Sequence, residues 1–590
     1  MKLSVLALDY DGTFTRDDRP HAGVLAAVAD ARRRHVTVLL VTGRILHDLR
    51  RVAGDLRFVD AVIAENGAVL HFPGSGHTTL LAPPIPSAFV QRLGELGIPF
   101  SAGQCLVDAD ASSADRILQV IRELELPIVL SFNRSRVMAL AQGVSKATGL
   151  AAALAVLRAS PRNTLAVGDA ENDHELLRFA EVGAAVEWGS RSLQAAADFV
   201  IKGHDPSAVA AFINRTVTSG RLPVPDRARR RMVIGRTADD REFSLGVRGR
   251  NVLILGESNS GKSWLAGLLC ERLILLGYSL CVIDPEGDYR TLDALPGVRV
   301  LGGEDPPPTP RALLHALRYP DRSVVIDLSA LAHDAKLEYI RSVLPTLNVI
   351  RRRTGTPHRV VVDEGHYFLH DAINRELLDL DFNGYTVVTY WPSQLPKALV
   401  AASEVILVTR ESNLDEIEAL RAHCDTCRHL DSSAWQMLGD LRIEEAVALP
   451  VTDEAGGDLR RFIIGERLTP HVRHRQKYVD VPVSDERAFV FASSRNTAPT
   501  RARTLREFVS AAEALDTTQT GEYLRRGDFS RWIRDVFGDR ALARELRDIE
   551  RRYENEHNPE AVAEAIASIS SRYDLTDSDD APTIEAVITA

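Results

Sequence analysis

Lysine is almost missing from this chain. Of its 71 basic residues, only Lys2, Lys146, Lys202, Lys262, Lys336, Lys397 and Lys477 are lysines, which leaves 64 arginines (71 − 7). A lysine is therefore expected where a compact ammonium is needed and a forked guanidinium would move the charge. Cysteine is also scarce, five in 590 residues, which points to a reducing, cytoplasmic setting. One pair, Cys424 and Cys427 with His423 and His429 beside it, offers too few certain ligands for a structural zinc site. No apolar run is long enough to cross a bilayer, and the opening "KLSVLALDY" ends in acidic residues, as a strand does and a secretory leader does not. No membrane partner is expected. An excess of positive charge is absent too: net charge is −10 and the pI near 6.0, so no global field draws in nucleic acid. Basic character is local, at 227–231, 351–353 and 473–477, and reads as solvated faces or linkers.

What is present is length for about three to five domains, at roughly 100–200 residues each, and 45% hydrophobic residues to fill their cores. Short apolar runs at 3–9, 36–41 and 164–168 each end at a polar motif, with helical patterns between them. That alternation predicts a parallel α/β sheet with its site at the carboxyl ends of the strands. An insertion follows "ENGAVL" at 65–70. It reads as a helix over 89–96, a strand over 105–108, a helix over 113–124 and a hairpin turning at 133–135, together a small α+β cap. The Pro- and Arg-rich stretch 221–231 reads as a linker. A second α/β block runs to about 469. Helical periods then cover 503–515, 529–537, 540–555 and 559–572 before an acidic tail. There is no internal repeat.

"DYDGT" sets Asp9 and Asp11 just past a buried strand, where Gly12 lets the chain turn so that both face one crevice. "VTGR" with Thr42, Lys146 in "GVSKATGL", and "VGDAENDHELL" with Asp169, Asn172 and Asp173 follow in order. Three acids and one rare lysine suit an oxygen-lined site for a hard cation. This set resembles the haloacid dehalogenase (HAD) phosphatase superfamily, in its Cof-like branch with a type IIB cap, over roughly 1–215. The resemblance implies that Asp9 is the nucleophile that forms an aspartyl-phosphate and that Asp11 is the acid and base. Thr42 and the Gly43 backbone would hold a phosphoryl oxygen, and Lys146 would neutralise charge between Asp9 and the phosphate. Mg²⁺ would be held by Asp9, the Asp11 carbonyl, Asp169 and Asp173. The cap is short for the family, which leaves a more open site. Glu65 and Asn66 are open between facing the substrate and shaping a strand-end turn. Arg134 and Arg136 on the cap hairpin are open between reaching a substrate anion and lining a solvated turn.

"NVLILGESNSGKSWLAGLL" is strand, glycine-framed loop and helix, and it fits G-x-x-x-x-G-K-S. Gly256, Glu257, Ser258, Asn259, Ser260 and Gly261 would cradle the phosphates of ATP with their N–H groups. Lys262 would bridge the β- and γ-phosphates, and Ser263 would bind Mg²⁺. In "RVVVDEGHYFL", Asp363 would hold the metal's water shell and Glu364 polarise an attacking water. The strand at 323–329 lies in sequence between the two, an order that fits ATPases with a strand added beside the P-loop strand. With "VIDPEGDY", "TYWPSQLP" and "VILVTRESNLDE", this block resembles the HerA/FtsK-like ATPases. The resemblance implies a RecA-like fold, Gln394 as γ-phosphate sensor, and Arg410 as a candidate finger acting on a neighbouring subunit. A homo-oligomeric ring, commonly a hexamer in that family, and work on nucleic acid would follow. The N-terminal barrel of such proteins is cut down to 232–250.

The expected organisation is α/β multidomain. A Rossmann-like HAD phosphatase domain spans 1–220, with its cap at about 70–142, and a linker spans 221–231. A P-loop ATPase domain spans 232–469, a helical C-terminal domain 470–574 and an acidic tail 575–590. In the last domain Phe529, Trp532, Ile533, Val536 and Phe537 share one apolar face, with Asp528 and Asp539 as helix caps. The function expected is a bifunctional hydrolase: a phosphatase for an unidentified phosphomonoester, fused to an ATPase. A nucleotide-gated scaffold with phosphatase output alone is a second reading. A kinase–phosphatase end-healing pair is a third, disfavoured because Glu364 beside Asp363 selects water as acceptor.

Overall fold

The computed structural model describes residues 1–573 apart from 17, 226–228, 247–249, 258–259, 370–376, 424–434, 450–458, 471–482, 484–486, 493–499, 538–539 and 557. The expectations for Ser258, Asn259, the Cys424–Cys427 pair, Asp539 and the acidic tail lie outside the described residues. No described helix is long and apolar enough to cross a membrane.

The N-terminal sheet has the order Phe199–Ile201, Val182–Val186, Thr164–Gly168, Val5–Asp9, Thr37–Val41, Ala61–Ala64, Val69–Phe72, His77–Leu80. The first six strands are parallel and the last two antiparallel. Val5–Asp9 lies at the centre and is buried throughout, as a parallel strand covered on both faces must be. The motif-bearing strands Val5–Asp9, Thr37–Val41 and Thr164–Gly168 are neighbours, so their carboxyl ends meet. The cap is a four-stranded sheet, Ile128–Asn133, Arg136–Ala141, Leu106–Asp110, Phe100–Ala102, with helices Ser87–Glu95 and Ala114–Glu123 packed on it. It begins past Leu80 rather than near 70, because Val69–Phe72 and His77–Leu80 pair onto the main sheet as its antiparallel edge.

The second sheet places the P-loop strand Val252–Leu255 between Val405–Val408 and Tyr385–Thr389. Beyond the latter come Arg359–Val362, Leu280–Asp284, Ser323–Asp327 and Val298–Gly302, all parallel. The strand that separates the P-loop strand from the Asp363 strand is thus Tyr385–Thr389. Ser323–Asp327, which lies between the two in sequence, is not beside the P-loop strand but stands two places past the Asp363 strand. Chain order does not fix order in a crossover-connected sheet. On the other side, Glu445–Ala448, Arg460–Ile464 and the hairpin Arg231–Arg236/Glu242–Gly246 add antiparallel strands.

The C-terminal helices Leu505–Ala514, Thr517–Arg525, Asp528–Trp532, Arg540–Glu556 and Glu560–Arg572 enclose an aromatic core. In it Phe489, Phe508, Phe529 and Trp532 pack with centroids 4.7–5.6 Å apart. Gly527, at φ +68°, holds the cap position assigned to Asp528, which is instead the first helical residue and pairs with Arg526 and Arg531.

The two α/β units meet through buried polar groups. The Tyr278 hydroxyl donates to the Glu181 carboxylate, 3.0 Å from both oxygens. Arg162 and Arg230 lie on the same carboxylate at 3.4 and 3.6 Å. His358 Nδ1 accepts from the Ser279 amide (2.8 Å), which leaves Nε2–H to donate to Ser160 Oγ (2.9 Å) and Asn163 Oδ1 (3.0 Å). Burial first, and then the charges of Arg162 and Arg351, push the His358 pKa down to about 3.

Candidate active sites

The first site is built on strand ends. Asp9 is the last residue of Val5–Asp9, and Gly12 follows with φ +75°. A Cβ on Gly12 would fall 2.2 Å from Asp169 Oδ2, so only glycine lets this turn approach Asp169. Lys146 is the first residue of helix Lys146–Leu157, fixed by a capping box between Ser145 and Thr148. That helix lies close on the Glu65–Gly67 turn: a Cβ on Gly149 would sit 2.6 Å from the Gly67 Cα.

Lys146 is 1% exposed, and its Nζ lies 2.5 Å from Asp9 Oδ1 and 2.7 Å from Asp173 Oδ1. Burial alone would lower its pKa, but the carboxylates of Asp173 and Asp9 outweigh that and raise it, so the ammonium persists. Asp173 Oδ2 accepts from the amides of Asp169 (3.0 Å) and Ala170 (3.1 Å). Burial, followed by the Asp173 carboxylate, pushes Asp9 well above the usual carboxylate range, with Lys146 opposing. The same two causes, opposed by Arg134, lift Asp169 to about 6.

Asp9, Asp169 and Asp173 are buried and offer oxygens within 4.8 Å of one another. Among the described residues, Asp9 Oδ2 has no hydrogen-bond partner. An all-carboxylate set with one oxygen unengaged fits a hard divalent cation, which would offset the cost of burying three acids around one ammonium.

Asp11 stands apart from that cluster, with its side chain 42% exposed. Arg44 holds it in a fork at 2.6 and 2.9 Å and also pairs with Asp18. Thr42 is fully buried, and its Oγ1 accepts from the Arg44 amide at 3.1 Å. Two residues left open by the sequence have defined places. Glu65, at φ +51°, accepts from the amides of Gln104 (3.1 Å) and Cys105 (2.7 Å), in the turn between cap strands Phe100–Ala102 and Leu106–Asp110, and so ties the cap to the main sheet. Asn66 accepts from Asn172 Nδ2 at 3.1 Å. Arg134, on the cap hairpin, reaches down to Asp169 as an ion pair, whereas Arg136 stays on the cap with Asp108 at 2.5 Å.

At the second site the P-loop, Asp363, Gln394 and Arg410 leave the carboxyl ends of adjacent parallel strands. Gly256 (φ +144°) and Gly261 (φ +98°) frame the loop. Lys262 opens helix Lys262–Leu275; its Nζ donates to the Glu257 carbonyl at 2.7 Å and stands 5.8 Å from the Tyr390 ring centre. Ser260 Oγ and Thr409 Oγ1 are 2.6 Å apart. Ser263 follows Lys262 on the first turn of that helix. Asp363 and Glu364 are buried, and the Glu364 amide donates to Asp363 Oδ1 at 3.0 Å. Glu364 takes φ +48°, a conformation costing of order 1–3 kcal/mol. His366 Nδ1 lies 3.7 Å from its carboxylate. Gln394 is exposed, in the turn Pro392–Gln394. Arg410 pairs with Glu257 of its own chain at 2.5 Å, not with Glu411 or Asp415, and Ser412 Oγ donates to the same carboxylate at 2.6 Å. Arg487, from the C-terminal domain, joins them at 3.0 Å. Glu257 and Arg487 are 230 residues apart, and no local pattern signals their pairing.

Comparisons with known proteins match two separate stretches of the chain. The family described as haloacid dehalogenase-like hydrolase matches residues 6–99 and 98–213. The family described as helicase HerA, central domain, matches 232–349. A phosphoglycolate phosphatase of Natronomonas pharaonis is 30% identical over 206 residues, covering 33% of this chain and 89% of that protein. One of Methanopyrus kandleri is 25% identical over 230 residues, covering 36% and 96%. Among solved structures, a haloacid dehalogenase-like hydrolase from Bacteroides thetaiotaomicron matches at 18% identity and TM-score 0.33, over 36% of this chain and 99% of that one.

Proposed function

The N-terminal domain belongs to the haloacid dehalogenase-like hydrolase family and is a phosphatase; on that premise we propose how its residues work and what the attached domain adds. Asp9 is the nucleophile: an oxygen of its carboxylate attacks phosphorus and the ester oxygen leaves, giving an aspartyl-phosphate. Asp11, at the cleft mouth, protonates the leaving oxygen and then accepts a proton from the hydrolytic water. Lys146 holds Asp9 in place and balances the charge gathered there. Thr42 and the Gly43 amide orient a phosphoryl oxygen. Asp9, Asp169, Asp173 and the Asp11 carbonyl would hold Mg²⁺, which would supply charge neutralisation there.

The observation that carries this reading is Lys146 shared between Asp9 and Asp173 at 2.5 and 2.7 Å. The substrate is a small phosphorylated carboxylate of the phosphoglycolate kind. The names of the relatives support this, as do the two guanidiniums, Arg44 and Arg134, that converge on the site's acids. The test is phosphate release from phosphoglycolate, sugar phosphates and nucleotides, with hydroxylamine-labile labelling of the enzyme. Turnover of sugar phosphates alone would retire the substrate class. A stable label in the Asp9→Asn variant would retire the nucleophile.

The second domain is an ATPase in this proposal. Lys262 and the loop amides grip the phosphates, Ser263 and Asp363 would hold a magnesium ion, Glu364 polarises water and Gln394 senses the γ-phosphate. Its match to a HerA central domain favours a ring that works on nucleic acid. ATP hydrolysis with and without DNA, alongside sedimentation, tests both.

A further inference from the structure

Glu257 lies inside the phosphate cradle, where a carboxylate repels a polyphosphate unless it is neutralised. Two guanidiniums neutralise it, Arg410 at 2.5 Å and Arg487 at 3.0 Å, leaving the cluster with one net positive charge. The two arginines come from different parts of the chain. Arg410 follows the strand next to the P-loop strand, whereas Arg487 belongs to the C-terminal domain. There the Arg487 carbonyl accepts from Trp532 Nε1 at 2.8 Å, and Phe489, two residues on, packs against Trp532 in the aromatic core. Its backbone is thus anchored in one domain while its side chain reaches the nucleotide loop of another. The Glu257 carbonyl, meanwhile, accepts from Lys262 Nζ, the group that must turn to the phosphates. All three charged side chains of the cluster are partly exposed, so a ligand can reach them.

We propose that Arg487 is a nucleotide sensor supplied by the C-terminal domain: the terminal phosphates of a bound nucleoside triphosphate draw its guanidinium from Glu257. A triphosphate presents several oxygens and more negative charge than one carboxylate, and Arg binds phosphate in a fork. The hold of the C-terminal domain on the loop then depends on which nucleotide is present. This inference rests on the reading of residues 232–469 as an ATP site.

The experiment titrates the full chain with fluorescent ATPγS and ADP analogues. It also follows hydrogen exchange at residues 487–491 in each complex. Arg487→Ala should weaken ATPγS binding by roughly tenfold or more, the size of a charge-assisted bond, and leave ADP much less affected. It should also abolish the difference in exchange between the two nucleotides. Arg487→Lys should recover part of the affinity. Glu257→Gln, which removes the carboxylate that competes for Arg410 and Arg487, should tighten ATPγS binding, the opposite sign to Arg487→Ala. Melting without nucleotide checks that each variant is folded, and the lysine variant decides the matter if the alanine one is not. Equal losses in Arg487→Ala and Glu257→Gln, or no loss in either arginine variant, would make the contact a structural tie and overturn the inference alone. A wild-type chain that binds no ATPγS overturns the ATP reading, and this inference with it.

Discussion

An ammonium held between two carboxylates, as Lys146 is between Asp9 and Asp173, fixes where one carboxylate points and balances the charge of both. Lys146→Ala should therefore cut phosphatase kcat by about 10²–10³, the cost of losing one positioned electrostatic group. It should also destabilise the fold by about 3–5 kcal/mol, because two buried acids lose their counter-charge. Steady-state kinetics with a denaturant melt separates the two effects. Asp9→Asn should abolish phosphate release and leave ATP hydrolysis within a few-fold of normal, because the two sites stand on separate sheets. Parallel loss of both activities in a folded variant would refute separate catalytic sites. Glu364→Gln should still bind ATP and hydrolyse it slowly, a split that single-turnover and binding measurements read directly. These residues were legible in the sequence because each sits in a short motif whose strand, turn or helix context is local. Arg134 on Asp169, Arg410 on Glu257 and Arg487 on Glu257 were not. Each pairing joins segments that only the tertiary fold brings together, so the sequence could single out Arg134 and Arg410 but not name their partners.

At the scale of elements, helix Lys146–Leu157 shows packing set against propensity. Ala favours a helix over Gly by about 1 kcal/mol, yet a Cβ at Gly149 would lie 2.6 Å from the Gly67 Cα. Gly149→Ala should push the helix outward and carry Lys146 away from Asp9, so kcat should fall even though the substitution suits an isolated helix. A kcat equal to wild type would mean that the turn, not the helix, gives way. The same contrast explains what was readable at this level. The strands at 164–168 and the cap hairpin follow from apolar runs and turn residues. The place of Tyr385–Thr389 between the P-loop strand and the Asp363 strand follows from crossover connections, which leave no local trace.

The molecule as a whole depends on a buried polar seam, and His358 makes that seam sensitive to acid. With its folded pKa depressed to about 3, against about 6.5 when unfolded, the unfolded chain binds a proton that the folded chain refuses. Its contribution is complete above about pH 6.5 and is lost as pH falls from there toward 3. Between pH 7 and pH 5 the loss is on the order of 2 kcal/mol. His358→Gln should flatten this part of the stability–pH curve, as thermal melts at both pH values would show. An unchanged slope would assign the acid sensitivity to other groups.

The Tyr278–Glu181 hydrogen bond lies on the same seam. Tyr278 closes the turn after the helix that Lys262 begins, and Glu181 lies just past the helix that starts beside Asp173. The two phosphate sites are therefore joined end to end through two helices and one hydroxyl–carboxylate contact. Linkage makes such a joint symmetric: whatever factor a nucleotide at Lys262 applies to substrate affinity at Asp9, the substrate at Asp9 applies to the nucleotide. Tyr278→Phe, which deletes the contact and spares both sites, should bring that factor toward one in both directions.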